Sequence, residues 1–423
     1  MLDKYQQEIV DSNEPRIIVE ASAGAGKTRT LTERVKRLLL DGIEPSNIVV
    51  ISFTNMAAEE LKERLVDVPG IGDCFVGTIH SFANKIFKNS GENYKLYSDE
   101  IENQFMMVLI NLYGKHITMD KFFLYKDIMK KIDLGLKTEI DLNSALTQNE
   151  IYEIEVFMGK IKNDKYKETI PSLCKKHNII TFDELLKKTT EYFKQINGKV
   201  EYLFVDEYQD IGKLERDFFK ALNADNYFYV RRWEATEFIG FKGGNVNYFL
   251  NLIKSPNWKT YYLNNNYRCG SKIIDIANRI IAQADDIIPT SVVCMSGKEG
   301  SVIIDSKFKI DQYLKRLDNY KDWFILVRTN KDIAKLEILL NALNIPYISF
   351  KKGEMTLEEM RKCMAENKVK LLTIHTSKGL ESKNVLLYGN FPIKQKPYLR
   401  NNDEIKVQYV GMTRSMENLI ILN

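Results

Sequence analysis

The segment Ala21-Ser22-Ala23-Gly24-Ala25-Gly26-Lys27-Thr28 constrains the fold of this chain more than any other. Before it, Arg16-Ile17-Ile18-Val19-Glu20 is a short β-branched run that reads as a strand. After it, Thr30 to Leu40 repeats apolar residues at helical spacing. A strand, a glycine-bearing loop and a helix in that order turn the loop N–H groups and the helix N-terminus toward a common point, which suits an anion. The closing Gly-Lys-Thr narrows that to the phosphates of a nucleotide: Lys27 reaches the outer phosphates and the Thr28 hydroxyl ligates magnesium. Ala21 stands where this pattern usually has its first glycine. Ser22, Ala23, Gly24, Ala25, Gly26, Lys27 and Thr28 are therefore predicted to hold ATP, on a loop in an α/β fold.

Similar short runs recur between helical stretches at Ile48 to Phe53, Phe75 to Ile79, Tyr202 to Asp206, Tyr227 to Val230 and Thr260 to Leu263. A second series follows at Val302 to Asp305, Trp323 to Val327, Val369 to Ile374, Val385 to Tyr388 and Leu419 to Leu422. Strands alternating with helices predict parallel sheets covered by helices, here in two α/β domains in tandem. Between Lys85 and Gly198 the chain is rich in Lys, Glu, Leu, Ile and Phe at helical spacing, which predicts a helical insertion. Its lysines read either as a solvated face or as one wall of a nucleic-acid groove. The expected boundaries are residues 1–84 with 199–264 for the first α/β domain, 85–198 for the insertion and 265–423 for the second α/β domain.

Composition excludes more than it proposes. The chain has 423 residues, 44% of them hydrophobic, enough for several cores. No apolar run approaches the roughly 18 residues of a membrane span, and the N-terminus lacks a secretion-signal layout, so a cytoplasmic protein without membrane association is expected. Cys74, Cys174, Cys269, Cys294 and Cys363 are scattered without a CxxC pair, which suggests neither a disulfide framework nor a zinc site. With 61 basic against 57 acidic residues, the formal charge of +4 does not by itself imply a polyanionic partner. A nucleic-acid reading must rest on local motifs.

A site that hydrolyses ATP also needs a carboxylate for the metal and a second one to activate water, delivered by a strand beside the phosphate loop. Leu203-Phe204-Val205-Asp206-Glu207 supplies that pair. Asp206 is predicted to share magnesium with Thr28, and Glu207 to act as the base.

Together these motifs resemble the UvrD/Rep family of superfamily 1 helicases, nearly end to end. Leu2-Asp3-Lys4-Tyr5-Gln6 is similar to the family's N-terminal glutamine motif, which implies that Gln6 reads the adenine edge. Ser52-Phe53-Thr54-Asn55-Met56-Ala57-Ala58 and Gly77-Thr78-Ile79-His80-Ser81-Phe82 resemble two motifs that touch single-stranded DNA. Asn266-Tyr267-Arg268 resembles the Tyr-Arg element, with Tyr267 stacked on the base and Arg268 on the γ-phosphate. The run Thr373-Ile374-His375-Thr376-Ser377-Lys378-Gly379-Leu380-Glu381 resembles the motif joining the nucleotide and DNA sites, which puts Glu381 near the ribose and metal. In Tyr409-Val410-Gly411-Met412-Thr413-Arg414, the resemblance makes Arg414 the arginine finger. It also implies two tandem RecA-like P-loop domains with parallel sheets plus a helical insertion in the first. Lys27, Glu207, Arg268 and Arg414 would be catalytic, with ATP and Mg2+ as cofactors. Phe53, Thr54, His80, Phe241, Lys242, His375 and Thr376 would contact DNA by stacking and backbone contacts. For Phe53, a place in the core is the alternative.

Two departures from the family pattern stand out. Where relatives carry Gly-Asp and then a glutamine that senses the γ-phosphate, this chain reads Arg231-Arg232-Trp233-Glu234-Ala235-Thr236-Glu237-Phe238-Ile239. Only about a hundred residues separate Arg268 from Thr373, too few for the large helical insertion usual there. The implied function is a 3′ to 5′ translocase and helicase acting on single-stranded DNA and single-strand/duplex junctions. Two alternatives are a translocase that displaces proteins and unwinds weakly, and a nucleotide-gated DNA-binding module without coupled hydrolysis.

Overall fold

A computed structural model describes residues 1–114, 116–133, 139–162, 169–232, 251–284, 291–350, 357–389 and 402–423. The chain divides into two compact units, Met1–Phe82 with Phe193–Asn423, and Ala83–Tyr192.

The larger unit starts with helix α1 (Lys4–Asp11), strand β1 (Arg16–Ala21), helix α2 (Lys27–Leu40), β2 (Ile48–Ser52), α3 (Asn55–Leu65) and β3 (Phe75–Thr78), followed by α4 (Ile79–Lys88), within which the division falls. The start of α1 is fixed by a reciprocal cap: the Gln6 N–H donates to Asp3 Oδ1 at 2.7 Å, and the Asp3 N–H to Gln6 Oε1 at 3.1 Å. Thr54 caps α3 by accepting from the Ala57 N–H. Helix α2 begins at Lys27 rather than at the predicted Thr30, because Gly26, at φ 76°, closes the loop and leaves Lys27 already helical.

The smaller unit packs the helices Asp99–Tyr113, Met119–Asp133, Gln148–Lys162 and Ile170–Lys176 around Phe105, Leu109, Phe122, Ile154 and Phe157. Phe122 and Phe157 meet edge to face, with ring centroids 6.2 Å apart. Two short parallel strands, β4 (Lys95–Leu96) and β5 (Ile179–Ile180), pair within this unit.

Back in the larger unit, β6 (Tyr202–Val205), β7 (Asn226–Arg232) and β8 (Lys259–Leu263) complete a six-stranded parallel sheet in the order β3-β2-β6-β7-β1-β8. Next, β9 (Asn265–Asn266) pairs with β10 (Val293–Cys294). The strands β11 (Ser301–Asp305), β12 (Trp323–Val327), β13 (Tyr347–Ser349), β14 (Val369–Thr373), β15 (Ser382–Tyr388) and β16 (Ser415–Leu422) form a second parallel sheet, ordered β11-β16-β15-β12-β14-β13. Strands β2, β12 and β14 are buried at every position. Helices cover both faces of such sheets, which is why their sequences read as unbroken apolar runs rather than alternating ones. All strands of the first sheet point the same way, so the residues after β1, β2, β3, β6 and β7 gather along one edge. In open α/β sheets that edge is where ligands bind.

Candidate nucleotide site

The phosphate loop leaves β1 at Ala21, which is still part of the strand; an alanine fits there because no left-handed conformation is required. Gly24 does require one, at φ 67°. A Cβ on Gly24 would also stand 2.8 Å from both Arg268 Cβ and Asn266 Nδ2, so two strands of chain touch at this residue. Asn266 is fully buried and donates through Nδ2 to the Ala23 carbonyl at 2.6 Å, while the Tyr267 N–H donates to the Gly24 carbonyl at 3.0 Å. Ala23 itself packs in the core formed by Cys269, Ile273, Ile374 and Met412. From the other side, Gln6 reaches the loop and donates to the Ala25 carbonyl at 3.0 Å. Both ends of its amide are thus engaged within the chain. The N–H groups of the first turn of α2, from Lys27 to Arg29, have no acceptor inside the helix and face the loop.

Behind the loop, Lys27 Nζ lies 2.6 Å from Asp206 Oδ1 and 2.6 Å from Glu207 Oε1. Lys27 and Asp206 are buried, and the Glu207 side chain is 13% exposed. Burial pushes both carboxyls up. At Asp206 it prevails over the attraction of Lys27 and, with Glu207 adding to it, raises the acid; at Glu207 the charges of Arg232, Lys27 and Lys378 overcome it and hold the acid well below the usual carboxylate range. Glu207 also carries backbone strain: its φ is 53°, and every other non-glycine residue with positive φ among the described residues is an asparagine. Such strain clusters at functional positions because the surroundings must hold it in place.

From the sequence, Arg231, Arg232 and Trp233 are candidates to serve the phosphates or the DNA, and Gln209 has no role; neither Arg232 nor Gln209 is expected to hold Glu207. Its Oε2 accepts from Gln209 Nε2 at 2.6 Å, and its Oε1 lies 3.1 Å from Arg232 Nε. The Arg232 N–H in turn donates to Gln209 Oε1 at 3.3 Å. Lys378, beyond the end of β14, pairs with Asp210. Each of these residues lies in or beside a motif; Gln209 reaches Glu207 from two residues away, but the pairings of Arg232 and Lys378 join segments far apart in sequence, so no local spacing signals them.

The arginines and acid predicted from the second half lie as follows. Arg268 Nε and Glu381 Oε2 are 2.5 Å apart, an ion pair not aligned as a hydrogen bond, and Arg268 also donates to the Thr413 carbonyl at 3.4 Å. The Tyr267 hydroxyl donates to Asp3. Arg414 is fully buried, and its guanidinium donates to the Val410 and Leu380 carbonyls and the Thr413 hydroxyl. All three acceptors lie on segments that connect strands of the second sheet.

Of the predicted DNA contacts, Phe53 follows β2 and is 39% exposed, which removes the core alternative. The Thr54 hydroxyl accepts the capping bond of α3 and keeps its own proton for donation. His80 lies in the first turn of α4, and His375 and Thr376 follow β14, all three half-buried. Phe241 and Lys242, like Trp233 to Ile239, lie outside the described residues.

Two all-parallel sheets in tandem, the first with a phosphate loop whose lysine meets two acids at the end of a neighbouring strand, define a tandem RecA-like P-loop protein. Residues 2–233 match the UvrD/REP helicase N-terminal domain, and residues 350–423 match the UvrD-like helicase C-terminal domain. The chain belongs to the UvrD/Rep helicase family. It is 27% identical over 386 residues to the ATP-dependent DNA helicase PcrA of Leuconostoc citreum, covering 82% of this chain and 49% of that protein. A probable DNA helicase II homolog of Mycoplasma capricolum is 27% identical over 420 residues, 91% of this chain and 56% of its own length. The PcrA of Staphylococcus aureus is 25% identical over 395 residues, 82% of this chain and 50% of its own. The chain thus spans about half the length of the curated relatives it matches. Among the described residues no helix is long and apolar enough to cross a membrane.

Proposed function

We propose that this chain hydrolyses ATP and uses the energy to move 3′ to 5′ along single-stranded DNA and open duplexes at junctions. The observation that carries the proposal is Lys27 Nζ at 2.6 Å from both Asp206 and Glu207, at the start of the helix that follows the phosphate loop. This arrangement gathers at one point the three groups that phosphoryl transfer calls for, a lysine, a carboxylate for the metal and a carboxylate for the water.

In this reading residues 1–84 with 199–264 form the ATP-binding domain, 85–198 the insertion and 265–423 the second domain. Ser22 to Thr28 cradle the phosphates, Gln6 and Tyr267 hold the base, and Glu381 lies by the ribose. Asp206 and Thr28 fit magnesium, a hard cation that takes oxygen ligands, and among the described residues no hydrogen bond reaches Asp206 Oδ2. When bound, the ion would neutralise charge on the phosphates. Glu207 orients and deprotonates the attacking water. Arg268 and Arg414 act from the second domain, for which Arg414 must exchange its present bonds. Phe53, Thr54, His80, Phe241, Lys242, His375 and Thr376 contact the strand.

ATP turnover measured with and without single-stranded DNA is the test. Stimulation by DNA is expected, and its absence in folded protein would defeat the motor reading. Glu207→Gln should lower kcat by about 10²- to 10⁴-fold while leaving nucleotide binding in place. A second reading, a translocase that strips proteins and unwinds weakly, is favoured by the short interval between Arg268 and Thr373. Tailed-duplex unwinding run beside streptavidin displacement separates the two.

A further inference from the structure

The position of Arg232 follows from strand register. Strand β7 lies between β6, whose end carries Asp206 and Glu207, and β1, whose end opens into the phosphate loop. Val205, the last residue of β6, pairs with Tyr229, so β7 runs three residues further. Arg232 closes that extension directly opposite Ala21. The sheet therefore sets this side chain between the loop and the acids, and it is only 15% exposed.

Each oxygen of Glu207 is held from a different direction. Oε1 meets Lys27 and Arg232 Nε, and Oε2 accepts from Gln209 Nε2. The far end of the Gln209 amide accepts from the Arg232 N–H. Arg232 thus grips the carboxylate twice, once through its guanidinium and once through its backbone by way of Gln209. Lys27 is the grip that the phosphate-loop motif directs to phosphate, and a lysine reaching a triphosphate cannot stay on two carboxylates. Once Lys27 turns to phosphate, Arg232 and Gln209 are what keep the strained Glu207 aimed.

We propose that Arg232 is a positioning residue for the hydrolysis step, holding the Glu207 carboxylate in place from the end of β7 while Lys27 engages the nucleotide. This rests on the hydrolytic reading given above. An arginine suits the task because its planar fork fixes direction as well as charge, which a lysine does only in part.

The test uses the full chain with Arg232→Ala, Arg232→Lys and, to keep volume and a donor should the alanine variant fail to fold, Arg232→Gln. Steady-state ATP turnover is measured over a range of Mg-ATP with single-stranded DNA present. Loss of the guanidinium should lower kcat about ten- to a hundredfold with KM changed less than about twofold, and lysine should restore part of the rate. An unchanged kcat in folded protein overturns the proposal. So does a raised KM with kcat kept, which would make Arg232 a nucleotide-binding residue instead. A crystal structure of the Arg232→Ala variant gives a readout independent of turnover: Glu207 should leave the place it holds in the parent, and a carboxylate that stays put overturns the proposal. Parent protein that turns over no ATP would defeat the hydrolytic reading alone, and the crystal structures would then decide the role of Arg232.

Discussion

Lys27 meets the buried Asp206 and the largely buried Glu207 at once, and Arg232 shares Glu207, so the acids behind the phosphate loop are each matched by a cation. Matching matters because an unpaired buried charge costs several kcal/mol. Gly24 shows how closely the rest of the loop is held. Gly24→Ala adds left-handed strain and a collision with Arg268 and Asn266, and should cost about 1–3 kcal/mol in urea denaturation. Gly42→Ala is the control: its φ is 87°, but nothing lies within 4 Å of the added carbon, so only the strain remains. Equal losses for the two variants would mean that Asn266 and Arg268 do not press on the loop. Lys27, Asp206 and Glu207 were legible in the sequence because each sits at a fixed offset from a strand or glycine. The bonds of Arg232 to Gln209 and Glu207, and of Asn266 to the loop, were not, because they depend on which segment lies beside which.

The buried strands of both sheets were readable for the same reason: covered on two faces, they leave unbroken apolar runs. Strand β13 escaped. Tyr347–Ser349 is an edge strand, half-buried at each position and only three residues long, so it leaves neither a continuous nor an alternating pattern. At the opposite edge, β11 ends on Asp305, where Lys309, the Ser306 N–H and the Tyr313 hydroxyl hold the carboxyl down to about 2 from its usual 3.8. A lowered folded-state value means stability that is present above the unfolded value and lost as pH falls through the folded one. Asp305→Asn should therefore be less stable than the parent near neutral pH. The gap should close as pH falls from about 3.8 to about 2. Urea midpoints of both proteins across that range check it, and a gap independent of pH would refute the assignment.

On the scale of the whole molecule, Ala83–Tyr192 has a core of its own, built on Phe105, Phe122 and Phe157. Units with separate cores need not melt together. Calorimetry should resolve more than one transition, with a van't Hoff enthalpy below the calorimetric one; a single two-state peak would contradict the division. A non-hydrolysable ATP analogue with magnesium, at about a hundred times its Kd, should stabilise the transition of the unit holding the phosphate loop by about 2.7 kcal/mol. The place where the smaller unit departs has a further consequence. The chain leaves the first sheet after its edge strand β3 and returns at β6 without altering any strand register on the way. Doubling such an excursion costs only about 0.6 kcal/mol in closure entropy. Across a lineage, this interval can therefore lengthen, shrink or be exchanged wholesale, while the strand ends on either side of it stay tied to their neighbours by the register of the sheet.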